Sequence, residues 1–129
     1  MTLRTVHSNE APEAVGPYSQ GVWAGEILYL SGQAPLDPAT GKLIEGHVGE
    51  QAKRVFDNLE AVLTSAGLAM NHVVKCNVYL VSMDDFQAMN EVYAQRFTAP
   101  FPARSTVGVA ELPLGARVEI EMIARRPEQ

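Results

Sequence analysis

Apolar residues between positions 48 and 66 recur at intervals of three and four, which is the spacing of one face of an α-helix. Charged residues such as Glu50, Arg54 and Asp57 fall mostly on the other side, and Gly67 is a typical C-terminal stop. The pattern therefore predicts an amphipathic helix that covers a core. Its apolar positions are Val48, Ala52, Val55, Phe56, Leu59, Val62, Leu63 and Ala66.

A second helix is predicted to begin at Ser82, because a serine followed by Asp84 and Asp85 suits the positive end of a helix. The buried side is expected to carry Phe86, Met89, Tyr93 and Phe97. Asn90 falls on that same side, since four residues turn only about 40° beyond a full circle. A buried asparagine amide needs partners, so Asn90 either tethers a neighbouring segment or points into a pocket.

Alternation of polar and apolar residues predicts strands elsewhere in the chain. Residues 21–24 and 27–31 form a hairpin pattern around a two-residue turn that contains a glycine. Residues 105–109 and 118–124 are expected to form another simple hairpin. A further strand is predicted over 73–81, and the residues expected to share its core face are Val74, Cys76, Val78 and Leu80.

Two helices and several strands predict an α+β fold in which both helices cover one face of a single mixed, mostly antiparallel sheet. The 129 residues are enough for a buried core and show no shift in composition, so 1–129 is expected to be one domain. The second sheet face mixes Val73, Tyr79 and Ile123 with charged residues. This mixture predicts burial against other copies of the chain.

Charge and composition narrow the class of function. A formal net charge of −5 disfavours nucleic-acid binding, and no apolar run approaches the ~18 residues that cross a bilayer, so we expect a cytoplasmic protein without a membrane partner. Cys76 is the only cysteine, and the three histidines lie far apart. Phosphate-loop and dinucleotide motifs are absent from the sequence. We therefore expect a small-molecule partner and neither a metal nor a cofactor.

Arg104 is the leading candidate for a binding residue. It follows Pro100 and Pro102 at the start of a strand, a rigid position, and strand alternation places it with Thr106 opposite the apolar Val107. A planar guanidinium can hold a carboxylate through two parallel hydrogen bonds. The segment therefore predicts a carboxylate clamp, with an ordinary surface salt bridge as the alternative.

Four other residues are candidates for lining a pocket. Tyr18 follows the turn at 16–17 and presents a phenol, while Ser31 and Gly32 end a strand where a ligand could approach the backbone closely. Asn90 is the fourth. For each residue a purely structural role is the competing interpretation.

Glu119 and Glu121 alternate with the apolar residues of the last strand. On a simple hairpin register they share the face of Arg104 and Thr106, with Glu119 opposite Gly108 and about 13 Å along the strand from Arg104. One chain is then not expected to bring Arg104 and Glu119 together. Solvated strand charges are the alternative interpretation of both glutamates.

Five segments in this order resemble the RidA/YjgF family of reactive intermediate deaminases. The segments are 16–20, 30–33, 85–90, 101–105 and 118–121. The resemblance implies a chorismate-mutase-like fold assembled as a barrel-like homotrimer with sites between subunits. It also implies hydrolysis of 2-imino acids and their 2-enamino tautomers, such as 2-aminoacrylate and 2-iminopropionate, to 2-keto acids and ammonia without a cofactor.

The same resemblance implies roles for individual residues. Arg104 would bind the substrate carboxylate, and Glu119 would hold or activate the attacking water. The residues at pocket-lining positions of the family are Tyr18, Ser31, Gly32 and Asn90. Thr106 departs from the family, where many members have cysteine, but an imine is already electrophilic and needs no covalent nucleophile.

Two other functions remain open from the sequence. A non-catalytic binder of small carboxylates, or a chaperone-like trimer, could have the same clefts. An endoribonuclease is the other. The net charge of −5 and the absence of clustered histidines in the sequence argue against it.

Overall fold

The computed structural model describes residues 2–128 and contains one six-stranded sheet with two helices packed on it. The strands are β1 (Arg4–Val6), β2 (Gly21–Ala24), β3 (Ile27–Gln33), β4 (Val73–Leu80), β5 (Ala103–Gly108) and β6 (Val118–Arg125). The helices are α1 (Val48–Ser65) and α2 (Phe86–Arg96). The sheet order is β1-β2-β3-β6-β4-β5, and the predicted α+β class is confirmed.

The pairing of β5 and β6 differs from the prediction. β5 pairs with β4 in parallel, β6 pairs with β3 and with β4 in antiparallel fashion, and so β4 lies between the two strands that were expected to form a hairpin. The physical reason is the composition of β4, whose Cys76, Val78 and Leu80 are completely buried. A strand this apolar is best placed inside the sheet, where neighbours cover both of its edges.

α1 ends as the sequence predicts. Gly67 has a φ of 77°, and its N–H donates to the Thr64 carbonyl at 3.0 Å. The Leu68 N–H donates to the Leu63 carbonyl at 2.9 Å, which completes a Schellman motif. The apolar side of the helix then packs on the sheet, and Phe56, among others, has no exposed surface.

One face prediction in β4 is wrong. The register between β4 and β6 shifts between Val73 and Lys75, so Val73 is buried while Val74 is exposed. An irregular residue in a ladder reverses the facing of the residues beyond it. The other predicted core positions of the strand are confirmed as buried.

The start of α2 is fixed to the start of β6. The Ser82 hydroxyl oxygen accepts from the Asp84 N–H at 3.2 Å, and the 3₁₀ turn Met83–Asp85 leads into the helix. Asp85 is buried and accepts two hydrogen bonds from the Arg117 guanidinium, at 2.8 and 3.2 Å. This bidentate pair therefore sets where α2 lies over the sheet.

Residues 2–128 leave the sheet face opposite the helices open. Tyr29 and Val107 are both exposed on it. Within residues 2–128, no helix is long and apolar enough to cross a membrane.

Candidate active site

Arg104 lies against α2. It pairs with the buried Cys76 across the β4–β5 ladder, so its side chain leaves the sheet on the helix-covered face. There its Nη1 donates to Asn90 Oδ1 at 2.7 Å, and its guanidinium carbon lies 4.6 Å from the centre of the Tyr93 ring and 5.6 Å from that of Phe86. One helix thus holds the guanidinium through a hydrogen bond and two aromatic contacts.

This placement corrects the prediction that Arg104 is opposite the apolar face. β5 is an edge strand, and its helix-side surface is covered by Phe86, Asn90 and Tyr93, which are spaced four and three residues apart on α2. The helical stripe was visible in the sequence, but its contact with an arginine depends on the position of β5. Sequence reasoning therefore missed Phe86 and Tyr93 as site residues.

A cleft of about 420 Å³ opens beside the guanidinium. Its lining consists of Asn90, Tyr93, Ala94, Phe101, Pro102 and Arg104. Arg96, Arg117, Arg125 and Arg126 have carboxylate partners, whereas within residues 2–128 no carboxylate lies within 4.0 Å of Arg4, Arg54 or Arg104. Arg104 is therefore fixed in place with its charge available to a ligand.

Thr106 and Cys76 lie close to this arginine but differ in character. Thr106 follows on the same face of β5, and its buried hydroxyl has no hydrogen-bond partner among residues 2–128. Burial raises the pKa of Cys76 to about 11, against the smaller lowering effects of Tyr93 and Arg104. The thiol therefore stays protonated, which fits the predicted core role rather than a nucleophile.

Glu119 occupies a second location, beside an irregularity in the sheet. The β3–β6 register shifts between Leu30 and Gln33, and the Glu119 carboxylate lies directly over Gly32 there. A Cβ at Gly32 would stand 2.7 Å from Glu119 Oε2, so only glycine admits the carboxylate in this position. The adjacent Ser31 hydroxyl donates to the Ser19 carbonyl at 2.6 Å.

The loop that carries Tyr18 is anchored to the same irregularity. The Ser31 N–H donates to the Gln20 carbonyl at 3.0 Å, and the buried Gln20 amide donates to the Pro12 carbonyl at 2.9 Å while accepting from the Ser8 N–H. Tyr18 itself is 51% exposed. Gln20 was not singled out from the sequence, yet it fixes the loop from which the Tyr18 phenol projects.

The two glutamates of β6 have different surroundings. Glu121 accepts from the Tyr79 hydroxyl at 3.1 Å and from the Asn77 amide at 3.2 Å. Among residues 2–128, no side chain donates a hydrogen bond to Glu119. Partial burial, and secondarily the charge of Glu121, raise the pKa of Glu119. Glu119 is therefore the carboxylate whose charged form is less stabilised.

The predicted residues thus form two groups that one chain does not bring together. Tyr18, Ser31, Gly32 and Glu119 gather at the β3–β6 irregularity, and Asn90, Arg104 and Thr106 gather between β5 and α2. The expectation that the glutamates share the face of Arg104 is wrong, because Glu119 pairs with Tyr79 on the open face. Two strand spacings, about 10 Å, also separate β6 from β5.

A family model described as endoribonuclease L-PSP matches residues 8–126. The chain belongs to this family, also called YjgF/RidA. This RidA-family chain is 51% identical to Protein DfrA of Myxococcus xanthus, over 96% of each chain. It is 47% identical to the 2-iminobutanoate/2-iminopropanoate deaminase of Capra hircus, over 96% of this chain and 90% of the relative.

A solved structure agrees with the fold of this RidA-family chain. The crystal structure of RidA from the Antarctic bacterium Psychrobacter sp. is 46% identical and superimposes with a TM-score of 0.92. The match covers 95% of this chain and 99% of that one. The family resemblance drawn from the five sequence segments is therefore confirmed. Within residues 2–128, no group of three or more His, Cys, Asp or Glu side chains could hold a metal ion.

Proposed function

We propose that this chain hydrolyses 2-imino acids and their 2-enamino tautomers, such as 2-iminopropanoate and 2-iminobutanoate, to 2-keto acids and ammonia without a cofactor. The observation that carries the proposal is Arg104, which is held by Asn90 and two aromatic rings in a cleft and has no carboxylate partner within residues 2–128. Such a guanidinium suits the carboxylate of a small acid. The deaminase names of relatives such as the Capra hircus protein support the same reaction.

The chemistry needs few groups. Arg104 orients the substrate through its carboxylate, and Glu119 accepts a proton from the water that attacks the imine carbon. The imine nitrogen is protonated when the water attacks, so the product is a neutral carbinolamine. Glu119 returns its proton to the nitrogen, the C–N bond breaks with loss of ammonia, and the carbinolamine hydroxyl gives its proton to Glu119, which passes it to solvent, as the carbonyl forms. General acid-base help of this kind contributes about two to four orders of magnitude.

The complete site in this proposal lies between subunits of a homotrimer. The Arg104 cleft of one chain would meet the Glu119 and Gly32 region of its neighbour, which accounts for the separation of the two groups within one chain. The exposed Tyr29 and Val107 on the open sheet face would be covered in the same barrel-like assembly. Tyr18, Ser31 and Thr106 would then line the cleft around the substrate.

The experiment generates 2-iminopropanoate in place with an amino-acid oxidase and follows the release of 2-keto acid and ammonia. We expect a clear rate increase with the wild-type chain, a loss with Arg104→Ala and a loss with Glu119→Gln. Arg125→Ala is the matched control, because it removes an arginine that is paired at the exposed C-terminal end with Glu128. Equal rates for wild type and Arg104→Ala would contradict the proposal.

The same experiment distinguishes a non-catalytic carboxylate binder. A binder would show Arg104-dependent affinity for 2-oxobutanoate in calorimetry but no gain in hydrolysis over buffer. An endoribonuclease, the activity in the family description, has less support here, because the chain carries a net charge of −5 and therefore repels a phosphate backbone.

A further inference from the structure

Glu119 and Glu121 lie two residues apart on the same face of β6, but they have different hydrogen-bond partners. Their backbone positions are separated by about 7 Å, close enough for the two charges to interact. The two side-chain hydrogen bonds that β4 donates to β6 both go to Glu121. Glu119 rests instead on the backbone at Gly32.

A diagonal hydrogen bond from Tyr79 favours Glu121 over Glu119. Tyr79 pairs directly with Glu119 across the β4–β6 ladder, yet its hydroxyl donates diagonally to Glu121 Oε1 at 3.1 Å. Asn77, which pairs directly with Glu121, donates to the other oxygen, Oε2, at 3.2 Å. Each oxygen of Glu121 is thus held separately, so the carboxylate has a fixed position and orientation.

We propose that Glu121, clamped by Tyr79 and Asn77, is a positioning residue whose fixed negative charge keeps the neighbouring Glu119 able to take up and release a proton during turnover. This inference rests on the proposed function, in which Glu119 is the group that exchanges the proton. Pairs of carboxyl groups in unequal surroundings divide into one that stays charged and one that titrates. Here two hydrogen bonds hold the carboxylate of Glu121, and no side chain among residues 2–128 donates one to Glu119.

Among residues 2–128, the other charged groups near this face make no ion pair with either glutamate. Lys75 of β4 pairs with Ile123, two pairs along the ladder from Glu121, and Tyr29 of β3 pairs with Ile123 from the other side. The Arg117 guanidinium is bound to Asp85.

The remaining neighbours within the described part of one chain contribute no opposing charge. The described span of β5 carries Ser105 and Val107 on this face and no titratable side chain. Tyr18 projects from the loop beside Ser31. Burial and the nearby Glu121 raise the pKa of Tyr79, so its phenol remains a donor across the working pH range.

The test combines two measurements on Glu121→Gln. The first is the pH dependence of imine hydrolysis, and the second is the titration of the Glu119 side-chain carboxyl followed by ¹³C NMR. We expect the acid limb of the rate profile and the Glu119 titration both to move to lower pH. The plateau rate should fall severalfold, because a weaker base accepts a proton less readily.

Three further variants keep the test decisive. Glu121→Asp retains the charge, so its acid limb and its Glu119 titration should stay close to those of the wild type. Tyr79→Phe removes one donor to Glu121 and should move both to lower pH by less than Glu121→Gln does. Glu45→Gln removes the same charge from an exposed loop and should change neither measurement. Tyr79→Phe also replaces Glu121→Gln as the main variant if the latter fails to fold.

The outcomes separate this inference from the proposed function. An unchanged Glu119 titration in Glu121→Gln overturns the positioning role, whatever the rates are. A rate that falls without any movement of the pH profile also overturns it, since a structural defect acts in that way. If the wild type hydrolyses no imine, the proposed function fails, and the catalytic purpose assigned to Glu121 falls with it even if the titration moves.

Discussion

The two groups of candidate residues differ in how many contacts their own chain makes with the charged side chain, Arg104 in one group and Glu119 in the other. Arg104 has a hydrogen bond from its guanidinium to Asn90 and lies against the rings of Tyr93 and Phe86. Glu119 is half-buried, sits against Gly32, and receives no side-chain hydrogen bond within residues 2–128. The cation is therefore supported by its own chain, and the carboxylate is not.

In the proposed site between subunits, this difference fits two separate roles, binding for Arg104 and proton transfer for Glu119. A group that only binds benefits from a rigid mount, because less freedom is lost when the ligand arrives. A group that must exchange a proton is better left without donors that would stabilise its charged form. In the proposed site the two groups come from neighbouring chains, so the contrast can be tested by separating them, by displacing one, and by removing the support of the other.

Mixing two inactive variants should give the largest effect. In oligomers formed from equal amounts of Arg104→Ala and Glu119→Gln, some sites receive Arg104 from one chain and Glu119 from its neighbour. Random assembly makes that combination about a quarter of all sites, so activity should rise from background to about a quarter of wild type. Co-expression with two affinity tags, followed by the imine assay, measures it.

The control for mixing pairs Arg104→Ala with the double variant that carries both changes. No site in that mixture receives Arg104, so its activity should stay at background. If the first mixture also stays at background while mixed oligomers are present, the two groups do not meet between chains.

Displacing Glu119 should be the next largest effect. In Gly32→Ala the new methyl group would lie 2.7 Å from Glu119 Oε2, and the flexible carboxylate end would move aside. Stability should change little, whereas a displacement of about 1 Å at the reacting group can lower kcat by roughly 100-fold. Steady-state kinetics and urea denaturation measure the two effects.

Gly49→Ala is the matched control for this substitution. Gly49 lies in the first turn of α1, and the nearest atom to an added methyl group is 4.0 Å away. Its kcat should equal that of wild type. A Gly32→Ala variant with normal kcat would show that the position of Glu119 does not matter for turnover.

Removing the ring beneath Arg104 should have a more moderate effect. Tyr93→Leu removes the closest aromatic contact of the guanidinium, worth about 0.5–2 kcal/mol, so KM should rise roughly twofold to thirtyfold. Tyr93→Phe keeps the ring and removes a hydroxyl that has no oxygen or nitrogen partner, so its KM should stay near wild type. Equal KM values for both variants would show that Arg104 does not need this support.

The sequence predicts local structure here better than it predicts the relation between the two groups. Periodicity and a glycine located both ends of α1, and the stripe Phe86, Asn90 and Tyr93 was recognisable as one side of a helix. The position of β4 between β5 and β6 depends on contacts between residues that are distant in sequence, because the apolar β4 is buried in the sheet interior. Residue spacing within one segment carries no information about that position.

The wrong predictions of which sheet face a residue occupies have the same cause, since local residue spacing does not determine strand order or register. Alternation gives two faces but not which of them meets the helices, so Arg104 was assigned to the wrong one. Register irregularities at Val73 and near Gly32 add further reversals that no local pattern marks. The five segments shared with the RidA family identified the chain because they combine positions that are distant along it.

The smallest expected effect is on protein stability, and it tests whether the charged form of Glu119 lacks stabilising partners in the folded protein. Its pKa is raised in the fold by burial and by Glu121, so the charged form is less stable in the folded chain than in the unfolded one. Below the ordinary pKa of glutamate the carboxyl is neutral in both states, and Glu119→Gln should match wild type. As the pH rises through the raised pKa, wild type loses stability and the variant does not.

At pH 7 the inactive Glu119→Gln variant should therefore be the more stable protein, by less than about 1 kcal/mol because the side chain is half exposed and screened by solvent. Urea midpoints at a series of pH values and one protein concentration measure the gap, with Glu45→Gln as the control for loss of charge alone. A variant less stable than wild type at pH 7 would mean that Glu119 has a favourable partner in the assembled protein. The two halves of the site would then be equally supported, and the unequal division of roles between Arg104 and Glu119 would no longer explain the structure.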